Sequence, residues 1–178
     1  MYEERDEHGR VWRSDDEMSA ENETRDFLYG LVRLIKPNYV LETGTYLGRT
    51  ATVMAAAMYL NNRGIVHTCD ITKMVDLKLL DDRTGLMQHV MFHQIEGRIF
   101  IDDYLMEEQV DLAFLDSSAN RLTEATLIVR KMKKGGFVVI HDSKRPTERE
   151  AITFLSDKGY VYLRFDTPRG LAVLQRLI

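Results

Sequence analysis

Much that would point to a specialised protein class is missing from this sequence. One cysteine, Cys69, stands among 178 residues, so no internal disulfide can form, and a reducing compartment, the cytoplasm, is expected. The longest apolar stretches fall well short of the ~20 residues that a bilayer-spanning helix needs, so no membrane partner is expected either. The opening run MYEERDEHGRVWRSDDE is charged throughout and holds no apolar segment of the secretory kind. Internal repeats and low-complexity linkers are lacking too. Together with the length, this bounds the chain to one domain with a substantial core.

The residues that are present, 44% hydrophobic and 29% charged, are those of an ordinary globular protein. Net charge is −4, and Glu3, Glu4, Asp6, Glu7, Asp15, Asp16 and Glu17 concentrate the acidity in the first residues. That field disfavours nucleic acid and other polyanions. The expected organisation is an acidic N-terminal arm over 1–21 ahead of a single domain over 22–178. Basic residues cluster at Arg130, Lys131, Lys133 and Lys134, where cations at a helix C-terminus complement its dipole, and again at Lys144, Arg145 and Arg149.

Periodicity gives the elements. Phe27, Leu28, Leu31, Leu34 and Ile35 predict an amphipathic helix over 22–36, with Asn22 as N-cap and Pro37 beyond its end. YVLET reads as a buried strand, 49–60 as a helix packed through Ala51, Val53, Met54, Ala55 and Met58, and IVHTCD as a second strand. A helix over 73–89, a strand at VMFHQIE and a short helix over 99–108 follow. VDLAFLD is the strongest buried strand, and the helix after it carries Leu122, Ala125, Ile128, Val129 and Met132 on one stripe. GGFVVIHD is the next strand. A helix then starts at Pro146, with Thr147 and Glu150 at capping-box spacing, and ends at Lys158 and Gly159. YVYLRF, the turn DTPRG and LAVLQRL form an antiparallel hairpin.

Strand and helix alternating in this way predict an α/β fold, with a mostly parallel sheet and helices on both faces. Such sheets bind ligands at the carboxyl ends of their strands. Those ends carry Glu42 to Gly44, Asp70, Glu96 and Gly97, Asp116, and His141 with Asp142.

The turn LETGTYLGRT places two glycines four apart between strand and helix. The triphosphate-cradling loop needs four residues between its glycines, followed by Lys and Ser/Thr; only Thr45, Tyr46 and Leu47 intervene here, and Arg49 takes the lysine place. The dinucleotide fingerprint needs glycine where this chain has Tyr46 and Arg49. What remains, acidic-x-Gly-x-x-x-Gly, resembles motif I of the Rossmann-like, S-adenosylmethionine-dependent methyltransferases. Asp70, IEGR, VDLAFLDSS, KKGGFVVIHDS and DTPRGLAVLQR follow in that family's order, over about residues 22–178. The similarity is greatest to the small-molecule O-methyltransferase branch with catechol-type, macrolide-sugar and cephalosporin-hydroxylase-like members.

The resemblance implies a Rossmann-like methyltransferase sandwich, with a mostly parallel seven-stranded sheet and a C-terminal antiparallel hairpin, binding S-adenosylmethionine. It carries the cofactor role onto Glu42, Gly44, Thr45, Tyr46, Gly48, Thr50, Asp70, Ile71, Glu96, Gly97, Asp116 and Ser117. The glycines would let the backbone approach the cofactor. Asp70 would take both ribose hydroxyls, although a cap for the segment near Thr72 explains it as well; Glu96 and Gly97 are either the adenine-side loop or an ordinary turn.

A hydroxyl acceptor must lose a proton. The branch often uses a divalent metal for this, held at the ends of the fourth and fifth strands, where Asp116 and Asp142 stand; Mg²⁺ or another hard cation would suit them. The branch's lysine three residues after the first of these aspartates is Ala119 here, and its asparagine after the second is Ser143. That leaves His141 as the candidate base. The alternatives are a core-satisfied His141, an Asp116 that bonds the next helix, and an Asp142 that bonds the turn at Lys144 and Arg145. His67 and His93 read as core histidines. The acceptor implied is a small molecule or sugar, and a homo-oligomer could complete its pocket. The Asn/Asp-Pro-Pro-aromatic loop that grips a flipped base is missing. The competing reading is a catalytically inactive binding or assembly module on the same fold.

Overall fold

The computed structural model describes residues 1–72, 85–118 and 120–177. Residues 73–84, the larger part of the helix expected over 73–89, and Ala119 lie outside the described residues.

A seven-stranded sheet runs in the order β5-β4-β3-β6-β7-β9-β8. Its members are β3 (Tyr39–Thr43), β4 (Ile65–Asp70), β5 (Val90–Gln94), β6 (Val110–Leu115), β7 (Met132–His141), β8 (Tyr160–Phe165) and β9 (Leu171–Arg176). Strands β3 to β7 are parallel, whereas β9 pairs antiparallel with both β7 and β8. Alternate residues of the central strands enter different cores. Val40, Leu112, Phe114 and Val139 pack with α1 (Asn22–Ile35) and α2 (Arg49–Asn61) through Leu28, Val32, Met54 and Met58. Leu41, Ala113, Leu115, Val138 and Ile140 pack with α4 (Arg121–Lys131) and α5 (Pro146–Asp157) through Ile128, Ile152 and Leu155. Burial on both faces is why these strands read as continuous apolar runs. The chain winds outward from β3 to β5 and then returns to lay β6 on the other side of β3. The order therefore reverses at β3/β6, and a crevice opens at the carboxyl tips there.

Residues 1–14 form an antiparallel ribbon of β1 (Tyr2–Arg5) and β2 (Val11–Ser14). Arg169, in the β8–β9 turn, staples this segment down: its Nε meets Glu4 at 2.8 Å, and its Nη2 and Nη1 donate to the carbonyls of Glu17 and Ser19 at 2.8 and 3.3 Å.

Local details depart from expectation. Asn22 is the first residue of α1, and Glu21 holds the cap position without a side-chain cap bond. Thr147 donates to Glu148 at 2.6 Å and caps nothing, while Pro146 does open α5. Leu86–His89 is a short 3₁₀ turn, and the short helix begins earlier than 99, as α3 (Gly97–Ile99) continued by a wider turn over Phe100–Tyr104. β7 starts directly after α4, so Lys133 lies in the sheet and pairs with Asp111 at 2.8 Å, outside the α4 terminus.

Candidate active site

The β3–α2 turn has three residues at positive φ: Gly44 at 89°, Tyr46 at 46° and Gly48 at 78°. The reason for glycine at 44 is close at hand: a Cβ there would lie 2.5 Å from the Asp116 carbonyl oxygen and 2.7 Å from the Ser117 nitrogen. The approaching backbone is thus the tip of β6, and the ligand approach expected for this glycine is not what excludes its side chain. Cys69 O accepts from Gly44 N and Thr45 N at 2.9 and 3.2 Å, and Thr43 O accepts from Asp116 N at 2.9 Å. These bonds lock the tips of β3, β4 and β6 together.

Glu42 supports the turn from beneath. It is 1% exposed, and the Thr68 hydroxyl donates to it while taking a hydrogen bond from Thr45 Oγ1 at 2.6 Å. Burial pushes its carboxyl up to about 8 against that hydrogen bond, with Asp116 and Asp70 adding to the rise. Asp70 stands at the crevice. Its Oδ2 accepts from Tyr46 N at 2.9 Å and its Oδ1 from Thr72 N at 3.1 Å, so it orders the turn and also joins the next segment as a local cap.

Two adjoining clefts open here, of about 200 Å³ and about 310 Å³. Gly44, Asp70, Ile71 and Ser118 belong to both. Together they reach the size of small-molecule sites. Thr45, Tyr46, Thr50 and Asp116 line the first, and Glu96, Gly97 and Ser117 the second. Glu42, Gly48, His141 and Asp142, expected at the site, line neither. Met18, Ser19, Ala20 and Arg49 join the first wall. The strap of residues 15–20 therefore roofs the cleft, which nothing in its composition announces.

Behind Asp116 lies a buried ionic network. His141 is 1% exposed and donates through Nδ1 to Asp116 Oδ1 at 2.9 Å and through Nε2 to Glu21 Oε2 at 2.7 Å. Burial works to lower its pKa, but the Asp116 and Glu21 carboxylates outweigh it and raise it to about 10. For Glu21, burial acts upward and His141 prevails, holding the carboxyl below its ordinary range. The imidazole is thus an imidazolium with both N–H groups spent. This corrects the expectation of a base at His141, because it has no lone pair for a substrate proton. Arg121 Nη2 also approaches Asp116 Oδ1, at 3.5 Å. Arg121 opens α4, so Asp116 meets the next helix through that side chain, whereas the backbone N–H groups foreseen for it at Leu122 and Thr123 are taken by the cap Asn120. Asp142, at φ 56°, pairs with Arg145 at 2.8 Å, close to the turn role foreseen for it. Burial, with Asp116 nearby, raises its pKa.

Ligand atoms of Asp116, His141 and Asp142 fall within 4.8 Å of one another. With both His141 nitrogens carrying protons, the donors left are the Asp116 and Asp142 carboxylates, oxygen ligands of the kind that suit a hard divalent cation. His67 and His93 lie elsewhere, bonded to each other at 3.1 Å and stacked with Tyr39 and Phe100.

Solved structures share this architecture. A methyltransferase from Geobacter sulfurreducens superposes with a TM-score of 0.76 at 19% identity, over 89% of this chain and 80% of that one. An O-methyltransferase of tomaymycin synthesis from Streptomyces achromogenes, solved with S-adenosylmethionine, gives 0.70 at 15% identity, over 90% and 82%. An O-methyltransferase from Bacillus cereus, in complex with S-adenosylhomocysteine, gives 0.70 at 13% over 90% and 84%. No curated protein matches by sequence. The family profile described as a methyltransferase domain does match, over residues 41–143, from the glycine turn through both candidate carboxylates and across more than half of the chain. The chain belongs to the methyltransferase domain family.

Proposed function

We propose that this protein transfers a methyl group from S-adenosylmethionine to a hydroxyl of a small molecule or sugar. The observation that carries the reading is the pair of clefts meeting at Gly44 and Asp70, at the tips of β3 and β4 beside the point where strand order reverses. The lining suits the donor in chemistry and in order. Among the described residues the N-terminus of α2 has no side-chain cap and no acidic residue in its first turn, so its N–H groups can take a carboxylate. Asp70 keeps acceptor capacity for ribose hydroxyls beyond its two backbone bonds. Ile71, 63% exposed, offers an apolar surface to a purine near Glu96 and Gly97.

Bound S-adenosylmethionine supplies an electrophilic methyl on a sulfonium: the acceptor oxygen forms a bond to that carbon as the carbon–sulfur bond breaks, and the sulfur keeps the electron pair. The chain's part is to orient the two reactants, exclude water and take up the proton. Asp116 is the one member of the buried network that lines the cleft, with its side chain 14% exposed, so it is the acceptor for the hydroxyl proton. His141 and Arg121 fix its carboxylate from behind. Asp116 and Asp142, with His141 beside them, would hold a divalent cation, which would acidify the hydroxyl. Transfer of labelled methyl to phenolic, catechol and sugar acceptors, with and without chelator, tests the reading. Activity that survives chelation assigns the proton to Asp116 alone, and activity restored by Mg²⁺ assigns a role to the cation.

The second reading, a methyltransferase-fold module without turnover, draws on the sealed His141 and on Ala119 standing in the lysine position. Donor binding without transfer to any acceptor favours it. A homo-oligomer that completes the acceptor side belongs to the enzyme reading and is checked by sedimentation.

A further inference from the structure

We infer that Arg49 reads the carboxylate at the amino-acid end of the donor, and that Asp15 of the N-terminal strap is the internal placeholder which that carboxylate displaces. The inference rests on the adenosyl-donor reading. Arg49 is the first residue of α2 and lines the first cleft beside Thr50 and Tyr46. Its side chain is 32% exposed toward the cleft, but the Nε itself is buried and has no hydrogen-bond partner among the described residues. A buried N–H of a charged group without an acceptor is costly, so an anion that reaches it from the cleft is favoured. The nearest anion is Asp15 Oδ2 at 3.6 Å, beyond hydrogen-bond reach, because the same oxygen is held by Arg25 Nη1 at 2.8 Å. Asp15 neutralises Arg49 without satisfying it.

The surroundings agree. Among the described residues, the first turn of α2 has no acidic side chain and no side-chain cap, so its backbone N–H groups lie uncapped at the helix end whose first residue is Arg49. A carboxylate entering the cleft beside Arg49 would supply the acceptor that Asp15, held by Arg25, does not. The strap that carries Asp15 also supplies Met18, Ser19 and Ala20 to the wall of the cleft. Filling the carboxylate position would therefore transfer Arg49 from strap to ligand.

Two adenosyl probes separate this from the donor reading itself. S-adenosylhomocysteine carries the amino-acid carboxylate, and 5′-methylthioadenosine has the same adenosyl and thioether groups without it. Calorimetry on the wild-type protein is expected to show the first binding about tenfold or more tighter than the second, the contribution of one charge-assisted contact. Arg49→Ala should bring that ratio close to one by weakening only S-adenosylhomocysteine. Asp15→Asn should tighten S-adenosylhomocysteine about two- to fivefold by removing the competitor, and leave 5′-methylthioadenosine unchanged. Thermal unfolding of each variant without ligand identifies loss of the fold. Equal affinity of the wild type for both probes, or an Arg49→Ala variant that weakens both alike or neither, overturns the inference while the donor reading stands. Wild-type protein that binds neither probe overturns both.

Discussion

His141 donates its Nε2 proton to Glu21 Oε2 across 2.7 Å, joining positions 120 residues apart. Both side chains are 1% exposed. The contact brings the junction between strap and α1 onto the tip of β7, so the N-terminal segment is part of the wall behind the cleft.

Loss of Glu21 leaves the buried imidazolium with Asp116 as its one hydrogen-bonded carboxylate and Asp142 at 3.7 Å. Glu21→Ala should therefore cost about 3 kcal/mol of folding free energy, and Glu21→Gln, which keeps a hydrogen-bond acceptor, about half of that. Equilibrium denaturation in urea measures both. Two variants as stable as the wild type would show that the pair contributes nothing net.

Glu42 sets a pH dependence. Its carboxyl is raised to about 8 by burial, above its value in the unfolded chain, so the folded state holds a proton that the unfolded state releases first. The stability contributed by the neutral form is complete at acid pH, below the unfolded value, and is lost as pH rises through about 8. Glu42→Gln keeps the shape and cannot ionise. Its stability relative to wild type should rise between pH 5 and pH 8 by about 3–5 kcal/mol. A pH-independent difference would place an ionised Glu42 in the folded protein.

Gly44→Ala combines a positive φ with a Cβ 2.5 Å from the Asp116 carbonyl oxygen. The tips of β3 and β6 would have to part, at about 3 kcal/mol or more, and Asp116 would shift with them. Donor affinity, read by calorimetry, should fall together with the melting temperature. A variant that keeps both would refute the packing account of this glycine.

The sheet was legible because its inner strands are buried on both faces: YVLET and VDLAFLD are continuous apolar runs closed by carboxylates, and those carboxylates mark the tips. Asp70, Asp116 and the glycine turn were found for that reason. Glu21, Arg121 and Arg169 were not, since their roles come from contacts between distant segments that no local period records. The acidic opening hid its ribbon because Glu3, Glu4, Arg5 and Arg13 mask the alternation of Tyr2 and Trp12. Arg49 was visible only as a mismatch to the phosphate-loop pattern, and its meaning depends on Asp15 lying across from it.

The central claim is that the cleft between the tips of β3 and β4 holds an adenosyl donor, with Asp70 at its middle. Titration of S-adenosylmethionine into wild-type protein and into Asp70→Ala by calorimetry tests it most directly. The account predicts saturable micromolar binding that falls about tenfold or more in the variant. Absence of binding by the wild type, or equal affinity in a folded Asp70→Ala protein, would contradict it.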